Sequence, residues 1–430
     1  MSASIPRFSF CVVLIASLAG CGGGSSGGST GCGSNCGGGG GNPTTVTYTF
    51  TGAMPTAVAT KIGTGAYTQA TLASGMLSIS VPSGTTNYSV AILCPPIIVD
   101  NPPANYEYVL QQSTLDGAAF TENCYNSISP QTGLATLQVN ASAIPGAANV
   151  SVWGSGYAMA QLWSGSTLSF SGQMVAGTYD VIVVVYDSTG LYPLAVKILR
   201  SQTIPGALNG GNPVVFAASD ETVTQTITYD NVPAGSSPYD PPYVDFFTSD
   251  GQGIVLESFP METPATQYPA LPAGAMQSGD YYTFLSWTNS AGGGTLGVQM
   301  ATSSGGAQTI TYPSTPWTYS GPTAAALPTF SFDYTGFSGM SPVWQIADIQ
   351  WGQGNISVNS IEVLATENFQ NGATTLTFPD LSGLTGFLAT PHSGMNILWQ
   401  ARIQEGSAFS TTPPNGTVQS VSNGGTYTVP

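Results

Sequence analysis

The sequence predicts an all-β protein, a tandem array of about four β-sandwich units that follows a glycine-rich, disordered tether. Three observations predict it. The 430 residues include 54 Gly and 31 Pro, which interrupt the chain so often that long amphipathic helices have nowhere to form. β-branched residues and tyrosine, which favour strands, fill the intervals. A strand-like opening pattern and a strand-like closing pattern each recur four times, at the spacing of small sandwiches, about 100 residues.

The first element is a short apolar run behind a single positive charge. Arg7 is the only charged side chain in the first sixty residues, and the run from Phe8 to Leu18 is almost wholly apolar. It is too short for a membrane span, which needs about 20 apolar residues. A positive residue, a short apolar core and small residues at the end are typical of an export signal. No later apolar stretch approaches spanning length.

The end of this run is more specific than a general cleavage site. Leu18-Ala19-Gly20-Cys21 resembles the lipobox of bacterial lipoproteins. The resemblance implies that residues 1–20 are removed and that Cys21 carries lipid and becomes the first mature residue. Gly22, where some lipoproteins have Asp, resembles the pattern of outer-membrane lipoproteins in diderm bacteria. We therefore expect a cell-envelope protein bound to the membrane through its lipid. The alternative is an ordinary secretory signal with a chance cysteine.

The next element, residues 21–43, is a tether. It is mostly Gly and Ser, which have little to bury and lose much backbone entropy on ordering. Cys32 and Cys36 interrupt it. A metal site usually needs four ligands, and the chain's single histidine, His392, has no cysteine nearby in sequence. A local disulfide or a crosslink is therefore favoured over a metal.

Composition limits the partners of the body. Charged residues make up 6% of the chain and the net charge is −16, with five Lys and Arg in total. Nucleic-acid binding requires a basic surface, so this class is excluded. No cofactor is expected and no catalytic set stands out.

The repeats divide the body into unit 1 (44–130), unit 2 (131–215), unit 3 (216–315) and unit 4 (316–430). Their closing strands begin after Gly84, Gly177, Gly279 and Gly394. The strand at Gly177-Thr178-Tyr179 resembles a signature of immunoglobulin-like and prealbumin-like modules on bacterial surfaces, which implies immunoglobulin-like sandwiches.

Two hairpins are predicted within these units. The unbroken apolar run from Val181 to Tyr186 predicts a central strand that is buried on both faces. The turn at residues 187–190 makes residues 194–199 its hairpin partner. In unit 1, residues 88–93 and 106–111 form the second candidate hairpin.

Cys94 and Cys124 are the cysteines of the folded body. An even pair in an exported protein is normally a disulfide, and we expect their Cα atoms within about 4.4–6.8 Å. The alternative is two free buried thiols.

Three kinds of residue are candidates for chemistry. His392 lies between Pro391 and Ser393-Gly394, which favours an exposed turn histidine over a member of a Ser-His-Asp triad. Asp240, Asp245 and Asp250 recur at five-residue intervals and are the best candidates for binding calcium, although solvated turns are favoured. The seven tryptophans suit carbohydrate stacking but are favoured as core residues: Trp153, Trp163, Trp287, Trp317, Trp344, Trp351 and Trp399.

The functional expectation is a non-enzymatic surface lipoprotein with a structural or adhesive role, or one that binds a polysaccharide or a protein partner. The alternative is a secreted carbohydrate-active hydrolase or carbohydrate-binding protein. An enzyme would need a convergent pocket with perturbed carboxylates, which distinguishes the two hypotheses.

Overall fold

Strands dominate the structure and confirm the all-β fold class. The computed structural model describes residues 43–96, 104–124, 131–165, 167–234, 243–257, 266–289, 294–313, 318–333, 343–352, 359–406 and 416–430. The signal, Cys21 and the tether with Cys32 and Cys36 fall outside these residues. Helical structure in the described part is limited to α1 (Glu367–Gln370) and two 3-10 turns. No helix there is both apolar and long enough to cross a membrane.

The strands of the first two units are short and closely spaced, as the Gly and Pro content predicts. Unit 1 contains β1 (Thr44–Gly52), β2 (Ala57–Ile62), β3 (Thr68–Ala70), β4 (Met76–Val81), β5 (Asn87–Leu93), β6 (Asn105–Ser113) and β7 (Ala119–Cys124). Unit 2 contains β8 (Thr132–Asn140), β9 (Asn149–Gly154), β10 (Tyr157–Leu162), β11 (Leu168–Val175), β12 (Gly177–Tyr186), β13 (Pro193–Ile204), β14 (Gly206–Ala207) and β15 (Val214–Val215).

The last two units are likewise built from a succession of strands. Unit 3 contains β16 (Val223–Asp230), β17 (Tyr243–Phe247), β18 (Gly253–Glu257), β19 (Gln267–Ala270), β20 (Tyr281–Asn289), β21 (Thr295–Thr302) and β22 (Gln308–Thr311). Unit 4 contains β23 (Thr318–Ser320), β24 (Thr329–Asp333), β25 (Val343–Trp351), β26 (Asn359–Thr366), β27 (Thr375–Thr377), β28 (Asn396–Gly406) and β29 (Gly416–Thr428).

All four units share one strand order. In units 1 to 3 the fourth, first and seventh strands form a small sheet, and the third, second, fifth and sixth strands form a four-stranded sheet. The seventh strand runs parallel to the first in each of these units. In unit 4, β23 takes the place of the seventh strand beside β24 and is antiparallel to it. Each unit is thus a sandwich of a small layer, which has three strands or, in unit 2, a fourth short strand β15 beside β8, and a four-stranded layer.

Three of the four-stranded layers are fused into a single twelve-stranded sheet. Its order is β18-β17-β20-β21-β29-β28-β25-β26-β6-β5-β2-β3. β21 of unit 3 pairs antiparallel with β29 of unit 4, and β26 of unit 4 pairs parallel with β6 of unit 1. The units therefore follow the order 3, 4, 1 along the sheet, which differs from their order in the chain. Unit 2 keeps a four-stranded sheet of its own.

The apolar run in β12 is a buried central strand, as predicted. β12 lies between β9 and β13, and Val181 pairs with Leu199 in the predicted hairpin. Val181, Val183 and Val185 pack in the core of unit 2, whereas Ile182, Val184 and Tyr186 join the large core shared with the other units. The outer face of unit 2 is thus an interface, which accounts for the absence of polar residues in the run.

The second predicted hairpin and the disulfide lie together in unit 1. β5 pairs antiparallel with β6. Cys94 and Cys124 form a disulfide with a Cα–Cα distance of 5.3 Å, within the expected range. Because Cys124 ends β7 in one layer and Cys94 follows β5 in the other, the bond joins the two layers of this sandwich. Both cysteines are buried in the unit 1 core.

Candidate functional site

The three predicted aspartates do not converge in the described residues. Asp240 lies outside them. Asp245 is on β17, where burial raises its pKa to about 6 against an opposing hydrogen bond with Thr283. Asp250 lies in the following turn and accepts hydrogen bonds from Thr248 Oγ1 and from the backbone N–H of Asp180. Within the described part of the chain, no group of three or more His, Cys, Asp or Glu side chains could hold a metal ion.

Asp250 belongs instead to the junction between units 2 and 3. Arg200 of β13 donates to Asp180 at 2.8 Å and to both carboxylate oxygens of Asp280, at 3.0 and 2.6 Å. It also donates to the carbonyl of Ala275. Burial lowers the pKa of Arg200, but the hydrogen bonds and charges of the two carboxylates outweigh it, so the pKa is raised. Every polar group here has a partner within the protein, so the cluster is structural.

The predicted turn histidine is where the sequence placed it. His392 is exposed, and Nδ1 of its ring lies 3.0 Å from the carbonyl oxygen of Ser393. No carboxylate of the described residues forms a hydrogen bond or a salt bridge with this ring. The geometry offers no triad there.

The tryptophans divide according to which face of the sheet they occupy. Trp351 and Trp399 are buried in the large core, which confirms the core interpretation for these two. Trp153 and Trp163 lie half-buried in unit 2, and Trp317 is outside the described residues. Trp287 and Trp344 lie on the opposite face of the twelve-stranded sheet from the core of units 3 and 4. They are the candidates for a binding role.

That face, here called the open face, is the side of β17, β20, β21, β29, β28, β25 and β26 that points away from the three-stranded layers of units 3 and 4. Alternation in β20 and β28 defines it. In β20 the even-numbered residues from 282 to 288 are buried and the odd-numbered ones from 281 to 287 are half-buried. In β28, Ile397, Trp399, Ala401 and Ile403 are buried while the alternate residues are not. Across unit 3, Tyr243, Leu285 and Trp287 on this face belong to no hydrophobic core cluster of the described residues.

A row of cross-strand neighbours crosses the open face. Trp287 on β20 is opposite Gly297, Gly297 is opposite Ser420, Ser420 is opposite Gln404, and Gln404 is opposite Trp344. The two tryptophans are thus four strand spacings apart, about 19 Å at about 4.8 Å per spacing. This set is called the Trp287–Trp344 row.

The row requires a glycine at position 297. A side chain there would place its Cβ 2.6 Å from Ser420 Oγ and 3.1 Å from Trp287 Cδ1. The indole and the serine hydroxyl therefore occupy the space above the glycine. The edge of Tyr243, which is 43% exposed, meets the Trp287 ring at a centroid distance of 6.0 Å and an interplanar angle of 78°. The result is an aromatic platform at one end of the row.

Two carboxylates lie directly opposite each other at the unit 4 end of the open face. Asp348 on β25 pairs with Glu362 on β26, so their Cβ atoms are about 5 Å apart. Like charges in this position are unfavourable. Asp348 accepts hydrogen bonds from Ser360 Oγ at 2.7 Å and from Gln350 Nε2 at 3.0 Å. An unfavourable pair that is nevertheless held in place is a feature of functional sites.

The protonation of this pair is strongly perturbed. Burial raises the pKa of Asp348 to about 7, with the charge of Glu362 adding and the two hydrogen bonds opposing. Burial also raises the pKa of Glu362, against the opposing charge of Arg402. Burial lowers the pKa of Arg402, which forms no salt bridge with any described carboxylate. Near neutral pH the two carboxyl groups therefore carry fewer than two negative charges.

Unit 1 borders this acidic pair. Tyr108 on β6 is opposite Glu362, and its buried hydroxyl has no hydrogen-bond partner among the described residues. Burial raises the pKa of Tyr108, and the charges of Glu122 and Glu362 add to the effect. Glu122 lies on β7, and burial raises its pKa to about 7. Ile346 and Leu364, on the same face of β25 and β26, are buried in the unit 1 core, and Trp344 packs against that core. The three-stranded layer of unit 1 therefore covers this end of the open face.

Sequence reasoning missed Asp348, Glu362 and Arg402. The one signal that could have found them is alternation: in β28, Arg402 stands at a polar position between Ala401 and Ile403, both buried. The sequence contains no signal for the pairing of β25 with β26 and β28, which brings the three together. Nor does it contain one for the Trp287–Trp344 row, which depends on the register between units 3 and 4.

Comparisons with known proteins add little. No protein-family model and no curated protein matches the chain. Among solved structures, the chain is similar to the Bacillus anthracis TIE protein at 11% identity, over 63% of this chain and 50% of that one, with a TM-score of 0.14. The match thus spans half of that protein's length, and a similarity at this score carries no argument about function.

Proposed function

We propose that the chain is a lipid-anchored bacterial envelope protein whose four-sandwich body displays the open face to a polymer or protein partner. The observation that carries the proposal is the contrast between the two sides of the sheet in units 3 and 4. One side is buried under three-stranded layers, whereas across unit 3 and the adjoining strands the other side has half-buried side chains such as Trp287, Gln299 and Gln404. Isolated side chains of this kind are ordinary, but a continuous face of them is typical of an interaction surface.

The shared sheet supports a display role. Because main-chain hydrogen bonds join units 3, 4 and 1, their relative positions are fixed without flexible linkers. The glycine-rich segment after Cys21 would give the body reach from the membrane. A rigid body on a flexible tether suits capture of a partner at a distance from the bilayer.

The anchor is tested first. Cys21→Ala should move the protein from the membrane fraction to the soluble fraction in detergent phase partitioning, because one cysteine carries all the lipid. Cys32→Ala in the tether is the matched control and should stay with the membrane. Retention of the Cys21→Ala protein would refute the anchor.

The surface is tested with isolated cell envelopes. The full chain should bind envelope material stripped of this protein, and Trp287→Ala should weaken that binding. Binding that is unaffected by changes on the open face would refute the role of this face.

A second function is favoured by one specific observation, the opposed carboxyl groups of Asp348 and Glu362. A pair of carboxyl groups, of which one is protonated and acts as the acid, is what glycoside hydrolysis requires. If the chain is a hydrolase, Asp348→Asn and Glu362→Gln should each abolish the release of reducing ends from envelope polysaccharide while the fold is retained. If no release is measured for the unaltered chain, this alternative falls.

A further inference from the structure

We infer that the open face binds a neutral, linear polysaccharide chain laid along the Trp287–Trp344 row. The inference rests on the proposed function and names the chemical class of the partner. It draws on three properties of the row: its aromatic ends, the uncharged polar side chains between them, and its course across five neighbouring strands.

The aromatic end at Trp287 has no role in the core. Trp287, Tyr243 and Leu285 all lie on the open face, and none of them contributes to a hydrophobic core cluster of the described residues. An indole whose ring is not used for packing offers an apolar surface with a polar N–H at its edge. Sugar rings have one apolar face of C–H groups, so they stack on surfaces of this kind.

The floor of the row offers hydrogen bonds without charge. Ser420 and Gln404 lie between the two tryptophans, and Gln299 lies beside them, opposite Leu285. The side-chain amides of Gln299 and Gln404 have no hydrogen-bond partner among the described residues. An amide presents both a donor and an acceptor, which matches the hydroxyl groups of a sugar.

Charge excludes an acidic polymer. The chain has 21 Asp and Glu against five Lys and Arg. On the described open face Arg402 is the single cation, and it lies beside Glu362 and Asp348. The carboxylates Asp245 and Asp348 lie to either side of the row. A uronate or phosphate chain would meet repulsion at these positions and no basic partner along the row, whereas a neutral chain meets neither.

The geometry favours an extended ligand. Platforms about 19 Å apart can be reached together by an oligosaccharide of several sugars but not by a disaccharide. We therefore expect affinity to rise with chain length until both tryptophans are engaged, because the second contact is then made without a further loss of translational freedom.

The test is isothermal titration of the purified full-length chain, in detergent micelles, with neutral linear hexasaccharides (cellohexaose and maltohexaose), their disaccharides, and hexagalacturonate. We expect binding of at least one hexasaccharide, weaker binding of its disaccharide, and no binding of the acidic chain. Trp287→Ala should weaken hexasaccharide binding by about tenfold or more, as loss of a tryptophan anchor does. Trp163→Ala, which removes a half-buried tryptophan from unit 2, is the matched control and should leave it unchanged.

Trp344 is not used for the test, because it also packs against the unit 1 core and its replacement would destabilise the fold. Gln404→Ala tests the middle of the row instead and should weaken hexasaccharide binding. Stronger binding of hexagalacturonate than of the neutral chains, or equal loss in Trp163→Ala, overturns the inference. If Trp287→Ala abolishes envelope binding but no neutral glycan binds, the partner is not a neutral polysaccharide and the proposed function stands. If sedimentation shows that Trp287→Ala dissociates a dimer, the face binds a second copy and the inference fails.

Discussion

Replacing Arg200 should detach unit 2 from the rest of the body. Its guanidinium is the only cation among the described residues that forms ion pairs with two carboxylates, Asp180 of unit 2 and Asp280 of unit 3. The side chains of Asp180 and Asp280 are 7% and 0% exposed. Arg200→Met would keep much of the volume and remove the charge, leaving two buried carboxylates without a cation.

The magnitude follows from this burial. Removing one partner of a buried ion pair typically costs about 3–5 kcal/mol, because the remaining charge is left uncompensated. Asp280 still accepts hydrogen bonds from the backbone N–H groups of Ser249 and Gln277, which favours the lower half of that range. We therefore expect a loss of about 3 kcal/mol, concentrated at the junction of units 2 and 3.

The matched control lies three residues away on the same strand. Lys197 pairs with Asp220 at 3.1 Å, and their side chains are 32% and 19% exposed. Exposed pairs contribute about 0–1 kcal/mol, so Lys197→Met should cost much less. Urea unfolding gives the overall loss of stability, and hydrogen exchange with mass spectrometry shows where protection is lost.

The expected pattern is faster exchange at residues 248–252 and 275–280 in Arg200→Met but not in Lys197→Met. Adding Asp180→Asn and Asp280→Asn to Arg200→Met should recover part of the loss, because no buried charge then remains unpaired. Equal effects of Arg200→Met and Lys197→Met, or no recovery in the triple variant, would refute the reasoning.

Two further predictions concern unit 1. Replacing Cys94 and Cys124 by Ala should lower the free energy of unfolding in urea by about 2–5 kcal/mol. Protection from hydrogen exchange should be lost first in β7. Recovery of the two cysteines as free thiols from the unaltered protein would contradict the disulfide. Glu107 is 2% exposed, and burial raises its pKa from 4.5 to about 7 against a hydrogen bond from the Leu388 N–H. A carboxyl group of this kind binds more protons in the folded state, so the free energy of unfolding should fall as pH rises from about 4.5 to 7 and level off above. A rise of the pKa from 4.5 to about 7 corresponds to roughly 3–4 kcal/mol, at about 1.4 kcal/mol for each pH unit. Glu107→Gln should flatten the urea-midpoint profile, and an unchanged profile would argue against this assignment.

Local pattern predicted the elements of this fold well. The run from Val181 to Tyr186 has no polar residue, and a strand of that composition needs apolar neighbours on both faces. The structure supplies them from the unit 2 core on one side and from the shared core on the other. The turn after it follows from Asp187, whose carboxylate accepts hydrogen bonds from Thr189. Such signals lie within a few residues of the structure that they predict.

Local pattern could not predict the candidate site, because its residues are far apart in the sequence. Asp348 pairs with Glu362, fourteen positions later, but Arg402 and Trp287 reach the same face only through pairings between β25, β28, β29 and β21. Alternation within each strand tells which residues share a face, yet it does not tell which strands are neighbours or in what register. The seven tryptophans could not be sorted into core and surface for the same reason.

The position of the few cations helps to explain why unit 2 stays outside the twelve-stranded sheet. Units 1 and 3 join the sheet of unit 4 through their sixth strands: β21 pairs with β29, and β6 pairs with β26. The sixth strand of unit 2, β13, is an edge strand instead. It carries Lys197 and Arg200, two of the four cations in the described residues. Lysine on an edge strand discourages pairing with another sheet. Unit 2 meets unit 3 through the ion pair of Arg200 with Asp280 and through a single backbone bridge between Ala195 and Glu221, so β13 forms no extended ladder with unit 3.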